Sequence, residues 1–200
     1  VSVHAQGDRF WTANFLGDSV TTGRLEIFGT QVRARLLATA EVGDEPMDIA
    51  FFDHLGTGTV FVTLNTTSAL AWLDGNTLAP HDPAVPVHRL VQPSGSQPHG
   101  LKEPHAVRVQ GGRVFALAFK GGVTHANSRH DLDILSAALP GTPGAPLAFD
   151  RQVVLPSRTN SSMRSATDGS LWVVGGEALN MTVETKPQAR AEPSGFVQST

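Results

Sequence analysis

Hydrophobic residues in this 200-residue chain recur in short alternating runs closed by Gly-rich turns, with no segment of helical period. The clearest run is Glu103-Pro104-His105-Ala106-Val107-Arg108-Val109-Gln110, a Gly111-Gly112 turn, and a return from Arg113 to Phe119. Val107 and Val109 alternate with polar positions, and Val114 to Phe119 is continuously apolar, as a buried inner strand is. The phrase is written three more times. Glu45-Pro46-Met47-Asp48-Ile49-Ala50 leads through a turn to Val60–Asn65, Ser162–Ser170 leads to Leu171–Gly175, and Val1–Arg9 leads to Phe10–Asn14. Met47, His105 and Met163 fall at equal intervals. Internal repeats of about 40–50 residues, each a small antiparallel sheet, predict an all-β protein of the β-propeller class.

The pattern divides the chain into about four blades of four antiparallel strands, over residues 1–42, 43–98, 99–156 and 157–190. Residues 191–200 read as a tail or the start of a further blade, because Glu192-Pro193-Ser194-Gly195-Phe196 repeats the opening phrase. Pro- and Gly-rich stretches, Ala79–Pro86, Pro93–Leu101 and Leu139–Pro146, fall between strands. Third and fourth strands are expected at Ala69–Asp74, His88–Gln92, Asp131–Leu135, Phe149–Leu155 and Ala178–Val183. Trp11, Phe61, Phe115 and Trp172 hold one position of the second strand in each repeat and are expected in the core between adjacent sheets. Starting and stopping in mid-repeat, the chain reads as part of a larger, six- or seven-bladed propeller rather than a closed four-bladed one.

Composition narrows the function classes. A net charge of −3 gives no electrostatic case for nucleic acid or an anionic membrane, and no apolar run reaches the roughly 18 residues that cross a bilayer. The absence of cysteine removes disulfides, thiolate metal sites and cysteine nucleophiles. Three of the six asparagines, Asn65, Asn160 and Asn180, begin N-x-S/T sequons, which favours a secreted, glycosylated protein. The start at Val1 fits a processed or excised chain.

In a propeller, residues just before the first strand and just after the second converge on one rim of the central channel. In the third repeat these include Glu103, His105, Lys120 and His125, within a window that holds four of the eight histidines. His105, Lys120 and His125 are therefore the candidate catalytic residues, since a histidine beside charged groups serves as acid or base near neutral pH. Asn14, Asn65 and Glu177, at the matching rim positions of other repeats, are candidate ligands for a divalent cation, Mg or Ca. A Pro-His pair ahead of a strand can equally fix a turn. His4, His54, His81 and His88 show no partner pattern. The Gly-rich turns lack a following helix, so they do not read as phosphate cradles.

Pro104-His105-Ala106-Val107 followed by Val114-Phe115-Ala116-Leu117, with Asp168-Gly169-Ser170-Leu171-Trp172-Val173-Val174, resembles blades of the virginiamycin B (streptogramin B) lyase family. Glu45–Ala50, Val60–Thr63 and Leu70–Asp74 are similar to the broader YVTN and NHL-type propellers. The resemblance implies a seven-bladed fold and, for true lyases, metal-assisted opening of a cyclic ester by elimination. It places the catalytic histidine at His105 and the partner glutamate at the position that Ala118 occupies here. Glu177 or Glu103 would have to take that role. Three function classes follow: a metal-dependent lyase or lactonase acting on a cyclic ester or sugar derivative, a non-catalytic propeller binding a glycan or protein, and a propeller module whose partners are the remaining blades of a parent protein.

Overall fold

The computed structural model describes residues 1–90, 101, 103–118, 134–141, 145–153, 155, 159–177 and 198–199. They form antiparallel sheets that follow one another in chain order. The first sheet is the meander β1 (Ser2–Gln6), β2 (Arg9–Asn14), β3 (Ser19–Phe28) and β4 (Gln31–Glu41). The second is β5 (Pro46–His54), β6 (Thr57–Leu64), β7 (Ala69–Asp74) and β8 (Val87–Arg89). The third is β9 (Pro104–Gln110), β10 (Arg113–Ala118), β11 (Ile134–Ala138) and β12 (Phe149–Val153). In the fourth, β13 (Thr159–Ser165) pairs with β14 (Leu171–Glu177), and β14 with β15 (Gln198–Ser199). Gln198 and Ser199 therefore extend the fourth sheet. The first strands neighbour one another, β1 against β5, β5 against β9 and β9 against β13, in a propeller-like series.

Alternation along the strands decides which seam each side chain fills. On β6, Val60, Val62 and Leu64 turn toward the first sheet and join Trp11, Ala13 and Val20, whereas Phe61 turns toward the third sheet and joins Val107, Val114 and Leu135. A third cluster, Ala106, Leu117, Ile134 and Met163, closes the seam between the third and fourth sheets. The core is thus three seams rather than one centre, as expected where each repeat buries its faces against its neighbours.

The β11 strand begins at Ile134 and runs to Ala138, past the expected end at Leu135, because Ala137 continues the buried face opposite Val114. The β8 strand covers Val87–Arg89 and stops short of the buried Leu90; Val91 and Gln92, like Ala178–Val183, lie outside the described residues. Among the described residues one 3-10 turn, Phe15–Gly17, interrupts the all-β pattern.

The four aromatic positions do not share one fate. Trp11 and Phe61 are buried; Trp11 stacks on Phe51 with centroids 4.2 Å apart and donates its indole N–H to the Gly75 carbonyl at 2.7 Å. Phe115 is half-buried against the third seam. Trp172 is 67% exposed, against expectation. The reason is geometric. Each of the other three faces the following sheet; on β14, Leu171 and Val173 face back to the third sheet, so Trp172 and Val174 face forward, where no further sheet is described.

Glu45 and Glu103, each before a proline that opens a first strand, hold left-handed φ angles of 56° and 49°. Non-glycine residues rarely adopt this conformation, and the residue before proline is further restricted. At Glu45 the geometry is held from two sides: its carbonyl accepts the Asn65 N–H at 3.0 Å, and its own N–H donates to Asp18 Oδ1 at 3.1 Å. The Glu-Pro phrase thus sets the angle at which the chain enters the inner strand.

Candidate functional site

Among the described residues, the first strand of each sheet has one edge with no strand partner, so its backbone groups and edge side chains face the space between the sheets. Around that space β1, β5, β9 and β13 line a half-open cavity of about 540 Å³. Its wall carries His4 from the first sheet, Asp48 from the second, His105 and Arg108 from the third, and Arg164 with neighbouring serines from the fourth.

Asp48 organises the wall. Its Oδ2 accepts the Val107 backbone N–H at 3.1 Å and Arg108 Nη1 at 2.5 Å, and its Oδ1 accepts the Ser2 hydroxyl at 2.6 Å. The Asp48 N–H donates in turn to Thr63 Oγ1 at 3.1 Å. One carboxylate therefore ties three sheets together and satisfies an inner-edge N–H that has no strand to receive it. Arg108 also donates to its neighbouring Val107 carbonyl. Side-chain exposures of 17% for Arg108 and 13% for Asp48 make the pair largely desolvated.

The two histidines are kept in their neutral form. Burial pushes the His105 pKa below its ordinary value, opposed by a hydrogen bond to the Ser161 backbone and by the charge of Asp48. Burial also lowers His4, the Arg108 guanidinium lowers it further, and Asp48 acts the other way. The His4 ring lies tilted against Trp11 and Phe51, with centroids 6.1 and 6.2 Å away. Both ring nitrogens of His105 are buried.

His105 is among the residues that line the cavity. The other two candidate catalytic residues, Lys120 and His125, lie outside the described residues, as does Asn180. The side chains of Glu177 and Asn160 are likewise not described; their backbones pair with Gln198 and Gly175. Asn14 and Asn65 do not line the cavity. The Asn14 carboxamide is engaged at both ends, donating to Ser19 Oγ and Thr21 Oγ1 at 3.3 and 3.0 Å and accepting from Thr12 Oγ1 at 3.1 Å. It is poorly placed to ligate a cation. Among the described residues no group of three or more His, Asp or Glu side chains is arranged to hold a metal ion.

Sequence reasoning missed His4, Asp48 and Arg108. A signal existed: Asp48, Arg108 and Arg164 are charged residues inside otherwise apolar or small inner strands, a costly placement without a partner. Three other unassigned histidines gather elsewhere, around Trp72. His81 stacks on its indole with centroids 3.7 Å apart, His88 and His54 lie 6.1 and 6.2 Å away, and His54 Nε2 meets the Pro140 carbonyl at 2.9 Å.

No family model matches the chain, and no curated protein does. Among solved structures it is similar to the hydrazine synthase of Kuenenia stuttgartiensis, with a TM-score of 0.61 and 17% identity. That match covers 99% of this chain and 48% of the other, so this chain spans about half the length of that protein. A Bacteroides fragilis protein described as a 6-phosphogluconolactonase matches with a TM-score of 0.43 and 10% identity, over 99% of this chain and 69% of the other. The likeness to hydrazine synthase supports a propeller-like all-β fold and nothing finer.

Proposed function

We propose that this chain is a propeller-type domain that holds a small polar molecule in the inner-strand cavity, where His105 acts as the acid–base group in opening a cyclic ester. The observation that carries the reading is the cavity itself. It lies where four sheets converge, is within the roughly 300–1,000 Å³ typical of small-molecule sites, and is walled by a desolvated Asp48–Arg108 pair and by neutral imidazoles. A neutral His105 can take a proton from an attacking water or from a substrate carbon and return it to the leaving oxygen. A divalent cation held by Glu177 and Asn65 would be the alternative to a glycan at Asn65, because that side chain cannot serve both. Secretion and glycosylation at Asn65, Asn160 and Asn180 belong to the same proposal, and mass spectrometry of native material checks them.

The test is a turnover assay over a panel of lactones and cyclic depsipeptides, with His105→Gln as the variant. Loss of general acid–base help is expected to lower kcat/KM by about 10²–10⁴ with an unchanged melting temperature. Full activity in His105→Gln would overturn the catalytic reading. Binding without turnover would leave a non-catalytic ligand-binding propeller, the reading that the cavity without its histidine chemistry also supports.

A further inference from the structure

Among the described residues, the charges on the cavity wall do not cancel. Asp48 and Arg108 neutralise each other, with both Asp48 oxygens taken. His4 and His105 are neutral near pH 7. Arg164 remains. It sits on β13 directly across from Trp172, is solvent-accessible, and has no ion pair among the described residues. Ser162 and Ser165 line the same stretch of wall.

We infer that the cavity recognises a small hydroxylated carboxylic acid, whose carboxylate is taken by the Arg164 guanidinium and whose hydroxyls meet the serine-lined wall. This rests on the cavity being the ligand site but not on any catalysis there. Three properties point to a carboxylate. Among the described residues the wall carries one arginine without an ion pair, which a monoanion balances. The planar guanidinium fork matches a carboxylate in two parallel hydrogen bonds. A phosphate monoester brings about −1.5 to −2 charges at neutral pH, more than one arginine balances beside the Asp48 carboxylate. The volume, about 540 Å³, suits a molecule the size of a sugar acid.

Calorimetric titration with glucuronate and with its uncharged twin glucose tests this, at low salt and pH 7.5, on the full chain. Glucuronate is expected to bind at least about tenfold tighter than glucose, since one charge-assisted bond contributes that much. Arg164→Gln is expected to remove the preference, and Arg164→Lys to restore it only in part, because an ammonium lacks the fork. Arg164 is exposed, so circular dichroism should show both variants folded. Equal binding of the two sugars, no binding of glucuronate, an unchanged preference in Arg164→Gln, or tighter binding of inorganic phosphate would each overturn the inference. Glucuronate binding with no turnover of any cyclic ester would sink the catalytic proposal and leave this one standing. Turnover that depends on His105 but not on Arg164 would do the reverse.

Discussion

The second and fourth sheets carry nearly the same strand and meet opposite surroundings. On β6 the run Val60-Phe61-Val62 is completely buried on both faces; on β14 the run Leu171-Trp172-Val173-Val174 is covered on one face and open on the other. The strand sequence decides which side chain points to which seam. The neighbouring sheet decides whether that seam exists. An aromatic at this position is therefore core in the second sheet and surface in the fourth, and the same comparison separates ion pairs inside the sheet series from those on its rim.

The largest effect should come from the aromatic pair itself. Phe61→Ala empties a fully buried site and should cost about 3–5 kcal/mol, read as a fall in the denaturant midpoint. Trp172→Ala, at 67% exposure, should stay within about 0.5 kcal/mol, as surface substitutions do. Equal losses would mean that the forward face of β14 is covered in solution.

Asp48 comes next. Asp48→Ala removes the acceptor for Ser2, Val107 and Arg108 at once and leaves a guanidinium with a desolvated environment. Hydrogen bonds to charged groups contribute about 1.5–3 kcal/mol each, so a loss of about 2–3 kcal/mol is expected, shared non-additively among the three. In an Asp48→Ala, Arg108→Met double variant part of that loss should return, because no uncompensated charge remains. A further loss in the double variant would show that Arg108 stabilises by packing alone.

Acidity should sharpen the contrast between interior and rim. His4, His81, His88 and His105 all have pKa values lowered chiefly by burial. Around Trp72, His54 lowers His81 further and His81 lowers His88, while Asp82 opposes at both and Asp74 at His81; His88 Nε2 and His81 Nε2 find no hydrogen-bond partner among the described residues. The unfolded chain protonates near pH 6.5, the folded chain only below that. Stability is therefore complete above about pH 6.5 and declines as the pH falls below it. Melting curves between pH 7.5 and 5 check this. A His88→Leu variant should show a shallower decline, and a flat wild-type profile would contradict the neutral-histidine reading of the cavity as well.

The fold was legible because period-two alternation, Gly turns and the repeated Glu-Pro opening are local signals, and each repeat sees only its neighbours. The position of His105 at the head of β9 was legible for the same reason. Asp48 was not. Its role depends on Ser2, Val107 and Arg108, which lie 46 to 60 residues away, and no spacing along the chain announces a carboxylate that accepts the edge N–H of another sheet. The exposure of Trp172 was hidden for a related reason, since it depends on what lies beyond the fourth sheet rather than on its own strand.

The smallest expected effect tests the rim half of the comparison. Arg35 and Glu26 pair at 3.3 Å across the β3–β4 hairpin, with the Arg35 side chain two-thirds exposed. Here water screens both charges, and two long side chains must be ordered to meet, so the pair should contribute about 0.2–1 kcal/mol at low salt. Arg35→Ala should lower stability by no more than that, and the difference should vanish at about 1 M salt, where the screening length is about 3 Å. Asp48→Ala should keep most of its cost under the same conditions, because its partners are shielded from solvent ions. If salt erased both losses alike, the Asp48–Arg108 pair would be as wet as the hairpin pair. The inner strands would then enclose open solvent rather than a binding cavity.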